Sequence, residues 1–415
     1  MDSTELKKLG HRLGHFLRCF DGGIKTAPSR AHFRTYIKGQ LSDLERKSVT
    51  PIALQAGVAP RSLQEFLEIH RWDQERVRRR LQEVVMHEHA SAKAIGVIDE
   101  TSDAKKGEKT AGVARQYCGA TGKTDNCVVT VHLGYVTEDF HALIDSDLFL
   151  PQETWAQDRQ RCRAAGIPET VGYRPKWRIG LDLMQRSWAA GVRFAYLVAD
   201  EAYGRSHHFR QEVASYGVCY VVEIPCSLKG WTKRPATLTP GKLPSTPGPT
   251  PTKERLACWA PACRRVDRLW QRGGPSWEAF HIKNTDTGPV VWEVRMSRFY
   301  PWEEGLPGSQ QWLLVARQVL TGEVKYFLSN AAPEISREEL LHVAFSRAHI
   351  ERLFEDAKGQ IGLDQCEVRH YQPLMRHLIL SMVSLLFLVR ETARLGKKRL
   401  LVECPSPAAG GRAAA

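Results

Sequence analysis

Two short apolar runs, residues 94–98 and 192–199, each run directly into an aspartate, Asp99 and Asp200. Near-continuous apolar runs of this length belong to strands covered on both faces, the kind found at the centre of a sheet flanked by helices. In such sheets the crevice at the carboxyl ends of the strands is where ligands bind. If the two strands are neighbours, their terminal Asp side chains converge on one spot. Asp also starts turns, so the pair acquires chemical meaning only with another carboxylate to complete an anionic pocket. Glu100 and Glu201 follow the two aspartates directly and are expected to point elsewhere.

The rest of the chain supports an α/β reading. Residues 1–90 carry apolar residues at helical spacing, over 30–41 and 62–85, and are expected to form a helical DNA-binding domain. Between those helices Gly57 and Val58 mark a turn, and a second helix opens near Arg61, which is helix-turn-helix spacing; an ordinary helical hairpin has the same pattern. Strands are predicted at 127–136, 140–150 and 218–224 and a helix at 177–190, which suggests a mixed sheet with helices on its faces over 91–225. Residues 226–330 are expected to be a basic linker followed by a strand-rich segment, with strands at 290–296 and 312–319. Six prolines fall within 235–251, and residues 226–275 hold ten Lys or Arg against Glu254 and Asp267. Such a segment suits a DNA backbone, or equally a solvated linker. Core and C-terminal helices are expected over 331–400, with a frayed tail at 401–415.

A long helix is predicted from Ser336, which with Glu339 fits a capping box. Arg347, Glu351 and Lys358 share one face of it. Glu351 is the candidate third carboxylate and Glu355, one turn on, the fallback. By spacing alone, a surface ion-pair ladder is the plainer account.

Taken together these residues are familiar. Arg347, Glu351 and Lys358, at intervals of 4 and 7 residues, are similar to the Tyr-Arg-Glu-Lys signature of bacterial insertion-sequence DDE transposases. Val97, Ile98, Asp99, Glu100 and Thr101, followed by Lys105, Lys106, Arg115, Gly122 and Lys123, resemble the first-Asp block of one branch of that family. The stretch from Leu197 through Asp200 to Arg205 resembles its second-Asp block. One departure stands out: the signature's Tyr is Ala344 here. The resemblance implies a ribonuclease H-like mixed sheet, with a catalytic core begun over 91–225 and completed over 331–400, a β-rich insertion subdomain within 226–330, and catalytic, metal-binding carboxylates at Asp99, Asp200 and Glu351. It implies two Mg²⁺ (or Mn²⁺) ions, cleavage at transposon ends and strand transfer into target DNA. Terminal inverted repeats and target duplex would be the partners of a homodimer, with Arg347, Lys358, Lys105, Lys106 and Arg115 on phosphates. A domesticated DNA-binding regulator and a repair or recombination nuclease on the same core are the alternatives.

The bulk composition agrees with this reading. The 415 residues carry a net charge of +13, which favours a polyanionic partner. Ten scattered cysteines argue against a secreted disulfide framework, and Cys258 and Cys263 lack the second ligand pair of a zinc finger. No apolar signal core opens the chain, and the apolar stretch at 378–389 reads as a buried helix, so the expected setting is the bacterial cytoplasm beside the nucleoid, without a membrane. Trp231, Trp259, Trp270 and Trp302 lie in or near the basic insertion, where core packing is the simpler role and base stacking the alternative.

Overall fold

The computed structural model describes residues 3–239, 253–271, 273–285 and 288–395; most of the proline-rich segment at 235–251, and the tail at 401–415, lie outside the described residues. The chain opens with α1 (Ser3–Arg18), α2 (Ala27–Gln40), α3 (Val49–Gln55), α4 (Pro60–Glu68) and α5 (Gln74–His89). Gly57, at φ 67°, makes the turn between α3 and α4 in a left-handed conformation that costs glycine little. The single helix expected over 62–85 is two helices. Asp73 accepts from the Arg76 N–H and so caps a new start, α5.

Next come β1 (Ile95–Ala104), β2 (Ala114–Cys118), β3 (Lys123–Val136), β4 (His141–Leu148), α6 (Arg159–Ala164), α7 (Lys176–Ala189), β5 (Tyr196–Ala199), α8 (Glu201–Gly204), α9 (His207–Ser215) and β6 (Cys219–Glu223). Neighbours run β4-β3-β1-β5-β6, antiparallel over the first three strands and parallel over the last three. This mixed sheet with flanking helices fits a ribonuclease H-like fold. Asp99 is not strand-terminal: β1 continues past it to Ala104, pairing with β3 throughout.

The strands after residue 226 are β7 (Lys229–Trp231), β8 (Thr237–Leu238), β9 (Arg255–Leu256), β10 (Arg264–Arg265), β11 (Glu278–Thr285), β12 (Gly288–Glu303), β13 (Leu306–Pro307), β14 (Gln311–Gln318) and β15 (Val324–Ser329). Most of them prolong the central sheet, because β15 pairs with β6 and leads through β14 to β12. Trp231 is buried and its indole N–H donates to the Pro261 carbonyl at 2.7 Å, a packing role, whereas Trp259 and Trp302 are exposed and Trp270 is half-buried.

The chain ends in α10 (Arg337–Phe345), α11 (Ala348–Asp356) and α12 (Tyr371–Leu395). Ser336 caps the start as expected, accepting from the Glu339 N–H at 3.1 Å. The Glu339 side chain takes the Tyr196 hydroxyl instead of closing a capping box. The long helix predicted here is broken: the Ser346 hydroxyl donates to the Val343 carbonyl at 2.6 Å, and a new helix, α11, starts after Arg347. α12 is long and apolar enough to cross a bilayer, but 83% of its apolar window is buried, which makes it a core helix. It gathers the N-terminal helices around itself. Tyr36 meets His377 at 2.8 Å, Gln40 bonds both Ser381 and Ser384 at 2.8 Å, and Phe16 packs on Phe387. One continuous buried cluster consequently runs from Phe16 to Phe387.

Candidate active site

β1 and β5 are parallel neighbours in which Ile98 faces Ala199, so Asp99 and Asp200 come next in line, side by side. Asp99 is 7% exposed. One of its oxygens accepts from the Glu100 N–H at 2.8 Å, and the other takes the Arg347 guanidinium at 2.6 Å. Asp200 caps α8, accepting from the N–H groups of Ala202 and Tyr203. That short helix therefore aims its positive end at the carboxylate.

Glu351 reaches the pair through Arg347, whose second nitrogen lies 2.8 Å from the Glu351 carboxylate. The break between α10 and α11 places Arg347 here as a bridge between Asp99 and Glu351. Glu351, Asp200, Glu100, Glu355, Lys176 and Lys358 line one cleft of about 390 Å³, with Asp99 one ion pair behind it. Glu201 turns away to Arg205, as expected. Glu100 does not: it enters the cleft, where it is held by Lys176 and by the Tyr203 hydroxyl at 2.9 Å. Glu223, at the end of β6 and in line with Asp200, is a further acidic neighbour. Sequence reasoning missed both. The signal was available for Glu223, which closes a third apolar strand run.

The electrostatics follow from crowding. Burial pushes Asp99 up to about 7, reinforced by the charge of Asp200 and opposed by Arg347. Asp200 is also raised, first by burial and then by Glu100, while Arg347 and two backbone N–H groups oppose the shift. Asp99, Asp200, Glu100, Glu351 and Glu355 outnumber Arg347, Lys176 and Lys358 here, and a bound cation relieves that condition. Carboxylate oxygens are the donors a hard divalent cation takes. The three carboxylates are not drawn into a tight cluster here: among the described residues, His207, His208 and Glu304 form the one group whose ligand atoms all lie within 4.8 Å of one another.

Lys358 lines the cleft, with its ammonium 3.2 Å from the Ser102 carbonyl. Lys105 and Lys106 line a different cavity, of about 680 Å³, with Arg46, Lys109 and Arg369, and Lys105 pairs with Asp103. Arg115 is exposed on β2. Ala344, where the resemblance leads one to expect Tyr, is buried in α10. Cys258 is exposed and Cys263 half-buried, and both are free thiols.

Comparison with known proteins adds two findings. Residues 16–281 match the model of a family described as DDE superfamily endonuclease. That match includes Asp99 and Asp200 and stops before Glu351. Over 188 residues the chain is 32% identical to a probable transposase for insertion sequence element IS701 from Microchaete diplosiphon, an alignment covering 45% of this chain and 46% of that relative.

Proposed function

Since the chain belongs to the DDE superfamily endonucleases, we propose that it is a DNA transposase that cleaves at transposon ends and joins the freed strand to target DNA. The observation that carries this reading is the alignment of Asp99 and Asp200 on neighbouring parallel strands, with the Glu351 helix tied to Asp99 through Arg347.

In this reading Asp99, Asp200 and Glu351 hold two Mg²⁺ or Mn²⁺ ions. When bound, these ions activate water or a 3′-hydroxyl and stabilise the leaving oxygen. The chain's own residues position the substrate and balance charge. Lys358 grips a phosphate at the mouth of the cleft, and Lys105, Lys106 and Arg115 continue the basic path. Arg347 neutralises Asp99 and Glu351, and would be free to face DNA phosphate if those carboxylates held a cation. Lys176 and Tyr203 hold Glu100 against the wall of the cleft, which keeps its charge beside Asp200. No covalent protein–DNA intermediate is required. Two copies pair the two ends of one element.

The test is incubation with inverted-repeat duplex, supercoiled target and Mg²⁺. The expected products are ends cut at the repeat and ends joined to target. Cutting without joining points to a nuclease, and specific binding without cutting to a regulator.

A further inference from the structure

Away from the carboxylate cleft, His207 and His208 open α9, and Glu304 stands in the hairpin between β12 and β13. Their ligand atoms all lie within 4.8 Å of one another. His207 Nε2 is 3.4 Å from a Glu304 oxygen, and the two imidazole rings are 3.8 Å apart.

Three features hold these donors in place. Arg210, on the same helix as the histidines and 2% exposed, takes the Glu303 carboxylate at 2.8 Å and so clamps the hairpin onto α9. The next residue, Glu304, has φ 48°, the one left-handed non-glycine among the described residues, which turns the chain as its carboxylate meets His207. On the other side Trp177 stacks on His208 at 6.4 Å.

We propose that His207, His208 and Glu304 form a second metal site, selective for a borderline transition cation such as Zn²⁺. Two imidazoles and one carboxylate are a three-ligand set that leaves a position for water. Imidazole donors favour such cations over Mg²⁺, which takes oxygen. The site joins α9 of the core to the β12–β13 hairpin and works as a metal-dependent staple. Trp177, which stacks on His208, directly follows Lys176, the partner of Glu100.

The experiment titrates the full chain with Zn²⁺, and with Co²⁺ as a spectroscopic substitute, in excess Mg²⁺ so that oxygen-only sites are filled. The expected result is one equivalent bound, a Co²⁺ d–d spectrum without a thiolate charge-transfer band, and slowed amide exchange across 300–308 on Zn²⁺ addition. His207→Ala and Glu304→Gln should each weaken binding by about tenfold or more, and Arg210→Lys, which touches no ligand, by about tenfold. Stoichiometric binding unchanged in His207→Ala, a thiolate band, or no binding above that of a His207→Ala/His208→Ala/Glu304→Gln chain would each overturn the site.

Discussion

Arg376 offers the sharpest test of how the N-terminal helices are held. It sits on α12, 2% exposed, and its guanidinium donates to the Leu67 carbonyl at 2.8 Å and to the His70 carbonyl at 2.9 Å, with longer contacts to Phe66 and Trp72. These are the carbonyls at and just beyond the C-terminus of α4, where a cation is favoured by the helix dipole. The guanidinium also lies 4.6 Å from the Trp72 ring. Replacing it by the length-matched Met removes two short charge-assisted bonds worth about 1.5–3 kcal/mol each, and strands their acceptors. Against that, burial pulls the guanidinium down to about 10, so its desolvation cost is recovered on removal. The net expectation for Arg376→Met is a loss of about 3 kcal/mol, with Arg376→Lys intermediate. Urea unfolding followed by circular dichroism reads the loss, and amide exchange should quicken first across 60–72. Terminal-repeat binding should weaken in parallel if α4 reads DNA. A stability change inside the range of surface substitutions, about 0.5 kcal/mol, with unchanged exchange would refute the docking argument.

Three further outcomes are expected. Asp145 is fully buried between Arg78 and Arg186, so Asp145→Asn leaves Arg78 with Glu75 alone and Arg186 with a longer contact to Asp147, and should cost about 2–3 kcal/mol by urea titration; a loss below about 1 kcal/mol contradicts this. A Cβ at Gly204 would sit 1.9 Å from the Glu223 carbonyl, so Gly204→Ala should push α8 off β6 and lower cleavage through Asp200 while repeat binding persists; equal cleavage rates would show that the contact is slack. His377, buried and kept neutral, is lowered to about 4 from 6.5. The unfolded chain therefore binds the extra proton between those values, and stability is full above 6.5 and falls with pH toward 4, by at most about 1.4 kcal/mol per unit. Unfolding midpoints at pH 7 and pH 5 measure it, and His377→Gln should flatten the slope; an equal slope in that variant assigns the effect elsewhere.

The parts of the fold readable from sequence were those with a strong local period or a strong local signal. The apolar runs before Asp99 and Asp200 contain neighbouring strands, the second only over Tyr196–Ala199, Gly57 makes its turn, and Ser336 caps its helix. What escaped depended on contacts between distant segments. The break at Ser346 comes from a hydroxyl competing for a helix carbonyl. The role of Glu100 depends on Lys176 and Tyr203 arriving from α7 and α8. The union of the first five helices with α12 rests on pairs such as Gln40 with Ser384, which no local window contains. β12 was read only over its apolar half, because its outer residues alternate in burial with polar and charged neighbours.

In the proposed mechanism three distant carboxylates act on one bound substrate. The most direct measurement compares Mg²⁺-dependent cleavage of terminal-repeat DNA by Asp99→Asn, Asp200→Asn and Glu351→Gln with their binding of the same duplex. The account predicts that each change abolishes cleavage and leaves binding intact. Retained cleavage in Glu351→Gln together with its loss in Glu355→Gln or Glu100→Gln would contradict it.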